Sequence, residues 1–128
     1  MAAIAFVARN VRVANTHNVL TRTRPVGGPL EVGQVAEMNA SGQWVISDGT
    51  GVAFGIVIGI TDGRLEGDVG DDAEVLMNGI VAGYDVDPAE LVYASAAGVV
   101  DDASGAGIQT LGIGMNDGLL YIRPDLVA

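Results

Sequence analysis

The chain of 128 residues contains no cysteine and no lysine, and it has a single histidine. Without cysteine, neither a disulfide framework nor a thiolate metal site can form. Without lysine, a Schiff-base nucleophile and the phosphate-binding lysine of a P-loop are excluded. One imidazole cannot build a histidine-rich zinc site, so we expect His17 to be an exposed residue of a polar segment.

Long apolar runs and aromatic residues are also scarce. No run of about twenty apolar residues occurs, so no membrane-spanning helix is predicted, and the start MAAIAFVARN lacks the basic region of a signal peptide. Hydrophobic residues make up 49% of the chain but aromatics only 5%, so the core must consist of Val, Ile, Leu and Ala. Nineteen glycines against four prolines predict many tight turns in a single domain.

The charge is divided unevenly along the chain. All six basic residues are arginines, and Arg9, Arg12, Arg22 and Arg24 fall in a first stretch of 24 residues that contains no acid. The other two arginines share the rest of the chain with all 16 acids, and the net charge is −10. An acidic body repels phosphate, which argues against a nucleic-acid partner. A basic segment on an acidic body favours docking onto an acidic protein surface, either a partner or a neighbouring copy.

The hydrophobic pattern has a period of two residues, which indicates β-strands. In GVAFGIVIGI, residues 51–60, the bulky positions from Val52 to Ile60 are predicted to face the core and the alternate positions to form a bare face. TLGIGM repeats this design. Further strands are expected at VGQVAEM, QWVIS, AEVLMNGIV, ELVYAS and LLYIRP, separated by Gly-rich turns every 8–12 residues or so, as in all-β sandwiches and barrels.

The predicted fold is therefore an all-β, small barrel-like domain over residues 27–128, preceded by an extended basic N-terminal arm over residues 1–26. The arm is expected to hold one strand at most, at AFVARNVRV, and its removal is expected to leave a folded body. Asp87, Pro88 and Glu90 match a helix start, so at most one short helical turn is predicted near residues 87–93.

The segment DGRLEGDVGDDAEV, residues 62–75, holds six acids and three glycines. The segment does not match an EF-hand calcium loop, which needs an oxygen ligand at position 3 and a glutamate at position 12. A loop starting at Asp62 would have Arg64 at position 3, and a loop starting at Asp68 would have glycines at positions 3 and 12. Weak calcium binding by Asp68, Asp71 and Asp72 stays open. The simpler interpretation is a solvent-facing turn that leads into a buried strand.

Catalysis is not predicted. The adjacent pairs Asp71–Asp72 and Asp101–Asp102 would point to opposite faces of a strand, and both lie in turns where water is expected to surround them. No Gly-x-Ser-x-Gly motif occurs, and each serine outside the basic segment lies in or beside a turn. No catalytic residue, metal ligand or cofactor is assigned.

The order of segments in the body is distinctive. GGPLEVGQVAEM opens it, GVAFGIVIGI leads through the acidic turn to GDDAEVLMNGIV, LVYASAAGVV follows, and TLGIGMNDGLLYIRP closes it. This order over residues 27–123 resembles the small decoration, or capsid cement, proteins of tailed bacteriophages. The likeness lies in strand rhythm and glycine placement, and no motif match extends into residues 1–24.

The resemblance implies a β-tulip or barrel-like domain that assembles as a homotrimer on the outside of the expanded phage head. There it would stabilise the head by clamping neighbouring major capsid proteins, after synthesis in the host cytoplasm. In several members an N-terminal arm contacts the capsid. By position and charge, that role would fall to Arg9, Arg12, Arg22 and Arg24. A structural protein of this kind is neither an enzyme nor a membrane protein, and it needs no cofactor.

Five residues are candidates for a subunit interface. In the predicted strands GVAFGIVIGI and TLGIGM, the face that carries the glycines permits close backbone contact, within or between subunits. Trp44 shares a predicted strand face with Ile46, so core packing is its first interpretation and an interface anchor its second. The candidates are Trp44, Gly55, Gly59, Gly112 and Gly114.

An alternative function from another class is a secreted or surface-displayed β-module that binds carbohydrate or calcium. Sugar-binding faces stack rings on exposed aromatic side chains, and only one tryptophan and three tyrosines are present here. Calcium-dependent stability would favour this alternative.

Overall fold

The computed structural model describes residues 3–15, 19–49, 51–102, 109–116 and 118–124. Among the residues described, strands make up 51% and short helical turns 8%, which confirms the predicted all-β, barrel-like class. The strands are β1 Arg12–Val13, β2 Leu20–Pro25, β3 Leu30–Glu31, β4 Val35–Met38, β5 Trp44–Ile46, β6 Ala53–Ile60, β7 Glu66–Gly67, β8 Asp72–Ala82, β9 Leu91–Ala94, β10 Val100–Asp101, β11 Thr110–Gly114 and β12 Leu119–Ile122.

Most strands belong to one curled antiparallel sheet in the order β10-β9-β11-β12-β8-β6-β4-β5, and β3 pairs with β7 separately. The eleven-residue strand β8 is its centre. The first half of β8 lies between β2 and β6, and its second half lies between β1 and β12. The long run AEVLMNGIV therefore forms the strand that both halves of the sheet share.

The N-terminal segment joins this sheet at several places. Six residues of β2 and two of β1 pair with β8. Ala3 bridges Asp101 in β10 and Val26 bridges Trp44 in β5, so the segment touches both terminal strands of the sheet. We call the described part of residues 3–26 the seam, because it lies along β8 and bridges both terminal strands of the sheet.

One hydrophobic core runs through the sheet and includes seam residues. Ile4, Val11 and Val26 are buried together with the fully buried Val, Ile and Leu side chains of β6, β8, β11 and β12. Tyr84 is buried as well, and its hydroxyl donates to the Gly33 carbonyl oxygen at 2.6 Å. Aliphatic residues dominate this core, as the composition predicted.

The prediction of which side chains in residues 52–60 face the core is wrong in part. Val52 is 41% exposed, whereas Ala53 and Val57, assigned to the bare face, are fully buried. The register with β8 shifts between Val57 and Gly59. Such an irregularity moves the following side chains to the other face of the strand, and the alternation of apolar residues gives no sign of it.

No helical turn forms near residues 87–93, which agrees with the prediction of at most one. The Asp87 N–H donates to Glu90 Oε1 at 3.3 Å, as in a capping box, but Ala89 has a φ of 65° and β9 begins at Leu91. A left-handed residue ends any helix that Pro88 could start. Short 3-10 turns occur instead at Ala8–Asn10, Thr61–Gly63 and Ala96–Gly98.

The single strand expected at AFVARNVRV is also different. Residues 8–10 form a 3-10 turn, and β1 covers only Arg12–Val13. The longer seam strand is β2, in LTRTRP, which the sequence did not predict. The expected exposed position of His17 falls outside the described residues.

Candidate interaction surface

The four arginines of the seam form two pairs along β8. Arg12 lies opposite Ala82 and Arg22 opposite Val75. Seven residues of strand separate these two positions, roughly 23 Å at about 3.3 Å per residue. Arg9 and Arg12 are therefore near one end of β8, and Arg22 and Arg24 near the other.

The two pairs differ in their surroundings. Arg9, Arg12 and Arg22 are exposed, and none of them forms an ion pair within the described part of the chain. Arg24 is half-buried, and its Nε–H donates to the carbonyl oxygen of Gly42 at 2.9 Å. Three of the four guanidinium groups are thus available to an acidic partner, and the fourth is held in place by the β4–β5 hairpin.

Arg22 and Arg24 border a groove of about 460 Å³. Its apolar lining comes from Met38, Phe54 and Met77, and Trp44 and Gly42 complete it. We call this the arginine groove. Trp44 is fully buried, and its ring meets that of Phe54 edge-on at 5.7 Å between centroids. The groove therefore combines two cationic groups with an apolar surface.

The candidate interface residues lie mostly inside the chain. Trp44 has no exposed surface, and its Nε1–H donates to the Arg22 carbonyl oxygen at 3.2 Å. A Cβ on Gly55, Gly112 or Gly114 would run into the carbonyl oxygens of Leu76, Tyr121 and Asp87 respectively. Gly59 is half-buried beside Glu74. The close backbone approach expected of Gly55, Gly112 and Gly114 is thus made within one chain, whereas Gly59 has no close backbone neighbour.

The acidic segment is exposed from Asp62 to Gly70, apart from the half-buried Gly67, and Ala73 and Val75 are buried. It is thus a solvent-facing turn that leads into a buried strand. Arg64 forms an ion pair with Asp71 across it. The backbone N–H of Asp68, and then the Arg64 guanidinium, lower the pKa of Asp71 below its ordinary value.

A second groove, of about 440 Å³, lies beside this turn and is lined in part by Glu31, Glu66, Asp68 and Asp71. Within the ranges that the structure describes, no group of three or more acidic or histidine side chains is arranged to hold a metal ion. The acids here form a charged surface around the Arg64–Asp71 pair.

Two acids have settings that the sequence did not reveal. Asp101, expected in a solvated turn, is only 7% exposed, because β10 is enclosed between β9 and Ala3. The Glu37 Oε2 atom is buried, and no hydrogen-bond partner for it is described. Burial, and then the nearby Asp48, raise the pKa of Glu37 above its ordinary value.

No helix among the residues described is long and apolar enough to cross a membrane. No protein-family model matches the chain, and no curated protein sequence matches it significantly. The surface features above are therefore what a function must be argued from.

Proposed function

We propose that the chain is a capsid decoration protein of a tailed bacteriophage, which binds the outer surface of the expanded head and stabilises it. The partner would be the major capsid protein, and the chain would act as a homotrimer without cofactor or catalysis. The observation that carries the proposal is the row of exposed arginines along the seam of an otherwise acidic domain. The order of strands and glycine-rich turns that resembles this family supports it.

Arg9 and Arg12 would make the contact with the shell. Arg9 is the middle residue of the 3-10 turn Ala8–Asn10 and Arg12 lies in β1, and both side chains are exposed. β1 pairs with β8, and Val11, which lies between Arg9 and Arg12 in the sequence, is buried. The two guanidinium groups are therefore presented from an ordered backbone. An ordered cation loses less conformational entropy on binding than one on a free tail.

The exposed acidic groups outside the seam also favour docking with the arginine side of the domain toward the shell. Exposed acids lie in the turn from Asp62 to Asp72 and at Asp85 and Asp87. Facing an acidic shell, these groups would be repelled, so electrostatics would favour docking with the arginine side inward. Repetition of a weak contact over many sites on a shell gives strong overall retention.

The test is co-sedimentation of the purified chain with expanded heads built from the major capsid protein of the same genome. The variant Arg9→Gln/Arg12→Gln should bind about tenfold or more weakly, at roughly 1 kcal/mol per lost ion pair. Arg123→Gln is the matched control, since Arg123 is exposed and lies outside the seam. Wild-type binding should also weaken as salt is added.

Two results would count against the proposal in different ways. Failure of the wild-type chain to bind expanded heads at any salt concentration would reject the decoration function. Binding of the double variant at wild-type strength would leave the function standing and reject Arg9 and Arg12 as the contact.

A further inference from the structure

We infer that the arginine groove is a docking site for the acidic turn of a second copy of this chain. The contact would insert the exposed apolar side chains of that turn between the two arginines of the groove. It would form without any capsid, so it stands independently of the proposed function.

The groove has the features of a binding site rather than of a plain charged surface. Arg24 is held by the Gly42 carbonyl, so its orientation is set before binding. The apolar lining comes from Met38, Phe54 and Met77, and all three side chains are only partly buried. Methionine side chains adapt easily to an inserted group, and arginine forms strong paired hydrogen bonds with carboxylates.

The acidic turn has the matching features. Leu65 is 42% exposed and Val69 is 71% exposed, the highest value among the large exposed hydrophobic side chains described. The acids beside them, Glu66 and Asp68, are exposed too. The turn therefore presents two exposed aliphatic side chains beside exposed carboxylates, which matches the apolar and cationic lining of the groove.

The turn is also rigid enough to act as an inserted element. Arg64 pairs with Asp71 across its base, and Asp71 accepts a hydrogen bond from the Asp68 backbone at 3.0 Å. Asp68 in turn accepts one from the Val69 N–H at 2.7 Å. These contacts fix the position of Val69, which lowers the entropy lost when it inserts.

The two surfaces differ, so the contact joins unlike patches of two copies. Such a contact forms either reciprocally in a pair or head-to-tail, which gives a ring where the rotation closes and an open filament where it does not. In both cases each Arg22–Arg24 pair receives one acidic turn. This assignment leaves Arg9 and Arg12 free for a different partner.

The experiment measures self-association of the purified full-length chain by sedimentation velocity over a range of concentrations, without capsids. Three variants are compared with wild type: Arg22→Glu in the groove, Asp68→Arg in the turn, and the two combined. Each single variant should weaken association about tenfold or more, because it places like charges opposite each other. The combined variant should recover most of the lost association, since the pair is then restored with reversed signs.

The variant Val69→Ser tests the apolar part of the contact without changing any charge. Its exposed side chain contributes little to the folded monomer, so the variant should fold normally while its association weakens. Arg123→Glu is the control for the groove variant, because it makes the same charge change outside the groove and should associate like wild type. Circular dichroism melts of every variant show that the fold is kept.

A wild-type chain that stays monomeric at millimolar concentration would overturn the inference. Association that persists in Val69→Ser and Arg22→Glu would overturn it equally. Single variants that weaken association without recovery in the combined variant would show that Arg22 and Asp68 do not meet. Capsid binding is read separately through Arg9 and Arg12, so either proposal can fail while the other holds.

Discussion

The indole N–H of Trp44 donates a hydrogen bond to the backbone carbonyl of Arg22, 3.2 Å away. This bond joins the core of the sheet to the seam, because Trp44 lies in β5 and Arg22 in β2. The parallel bridge between Trp44 and Val26 holds the same two segments together. The only tryptophan of the chain therefore stabilises the edge of the arginine groove from its buried side.

Replacing Trp44 with Phe should lower the free energy of unfolding by about 2–3 kcal/mol. The change leaves the Arg22 carbonyl without its donor and opens space in a fully buried position. Urea denaturation followed by circular dichroism measures the loss, since the variant has no tryptophan fluorescence. Tyr121→Phe is a suitable control, because its hydroxyl makes no hydrogen bond within the residues described. Equal stability of both variants would contradict the role of the indole N–H.

Gly55→Ala should lower the free energy of unfolding by about 2 kcal/mol or more. An alanine Cβ there would overlap the Leu76 carbonyl oxygen of the neighbouring strand, so β6 and β8 would have to move apart. Gly28→Ala is the matched control, because a Cβ at that position meets no atom within 4 Å. Thermal melts of the two variants should differ clearly. A Gly55→Ala variant as stable as Gly28→Ala would show that the strands tolerate the methyl group.

The existence of most strands could be predicted from the sequence, but their faces could not. AEVLMNGIV and TLGIGM correctly indicate the strands β8 and β11, but in β11 both glycines are buried and Ile113 is only half-buried. In residues 52–60 the predicted core face is wrong from Val52 to Ala53 and again at Val57, and the register shift that follows Val57 depends on the partner strand. Sequence periodicity describes one strand at a time and contains no information on its neighbours.

The seam and the groove were harder to predict for a related reason. LTRTRP has no apolar alternation, and β2 is mostly exposed, so its strand structure comes from pairing with β8. The arginines could be recognised as a set by charge, but not their division into two pairs. The groove depends on residues from five strands and the turn of the β4–β5 hairpin, which only the fold brings together.

Glu37→Gln should stabilise the protein at neutral pH by up to about 0.5 kcal/mol, a modest value because the side chain is partly open to solvent. A raised pKa in the folded state means that the folded chain binds the proton more tightly than the unfolded chain. Wild-type stability should therefore fall as pH rises from the ordinary Glu pKa through the raised one. The glutamine variant lacks that fall. Melting temperatures from pH 4 to pH 8 or so measure the difference, and parallel curves for the two chains would contradict it.

Removing residues 1–24 should unfold the chain rather than release an independent body, contrary to the expectation from the sequence. The deletion takes away the buried Ile4 and Val11, all of β1, and all of β2 except Pro25. At about 1.5–3 kcal/mol for each buried side chain, plus the lost strand pairing, the change approaches the roughly 5–15 kcal/mol of a whole domain. Circular dichroism and urea melts of residues 25–128 test this, with full-length Arg9→Gln/Arg12→Gln as the control that keeps the seam. A cooperative transition of wild-type size in the truncated chain would show that the seam is a detachable arm after all.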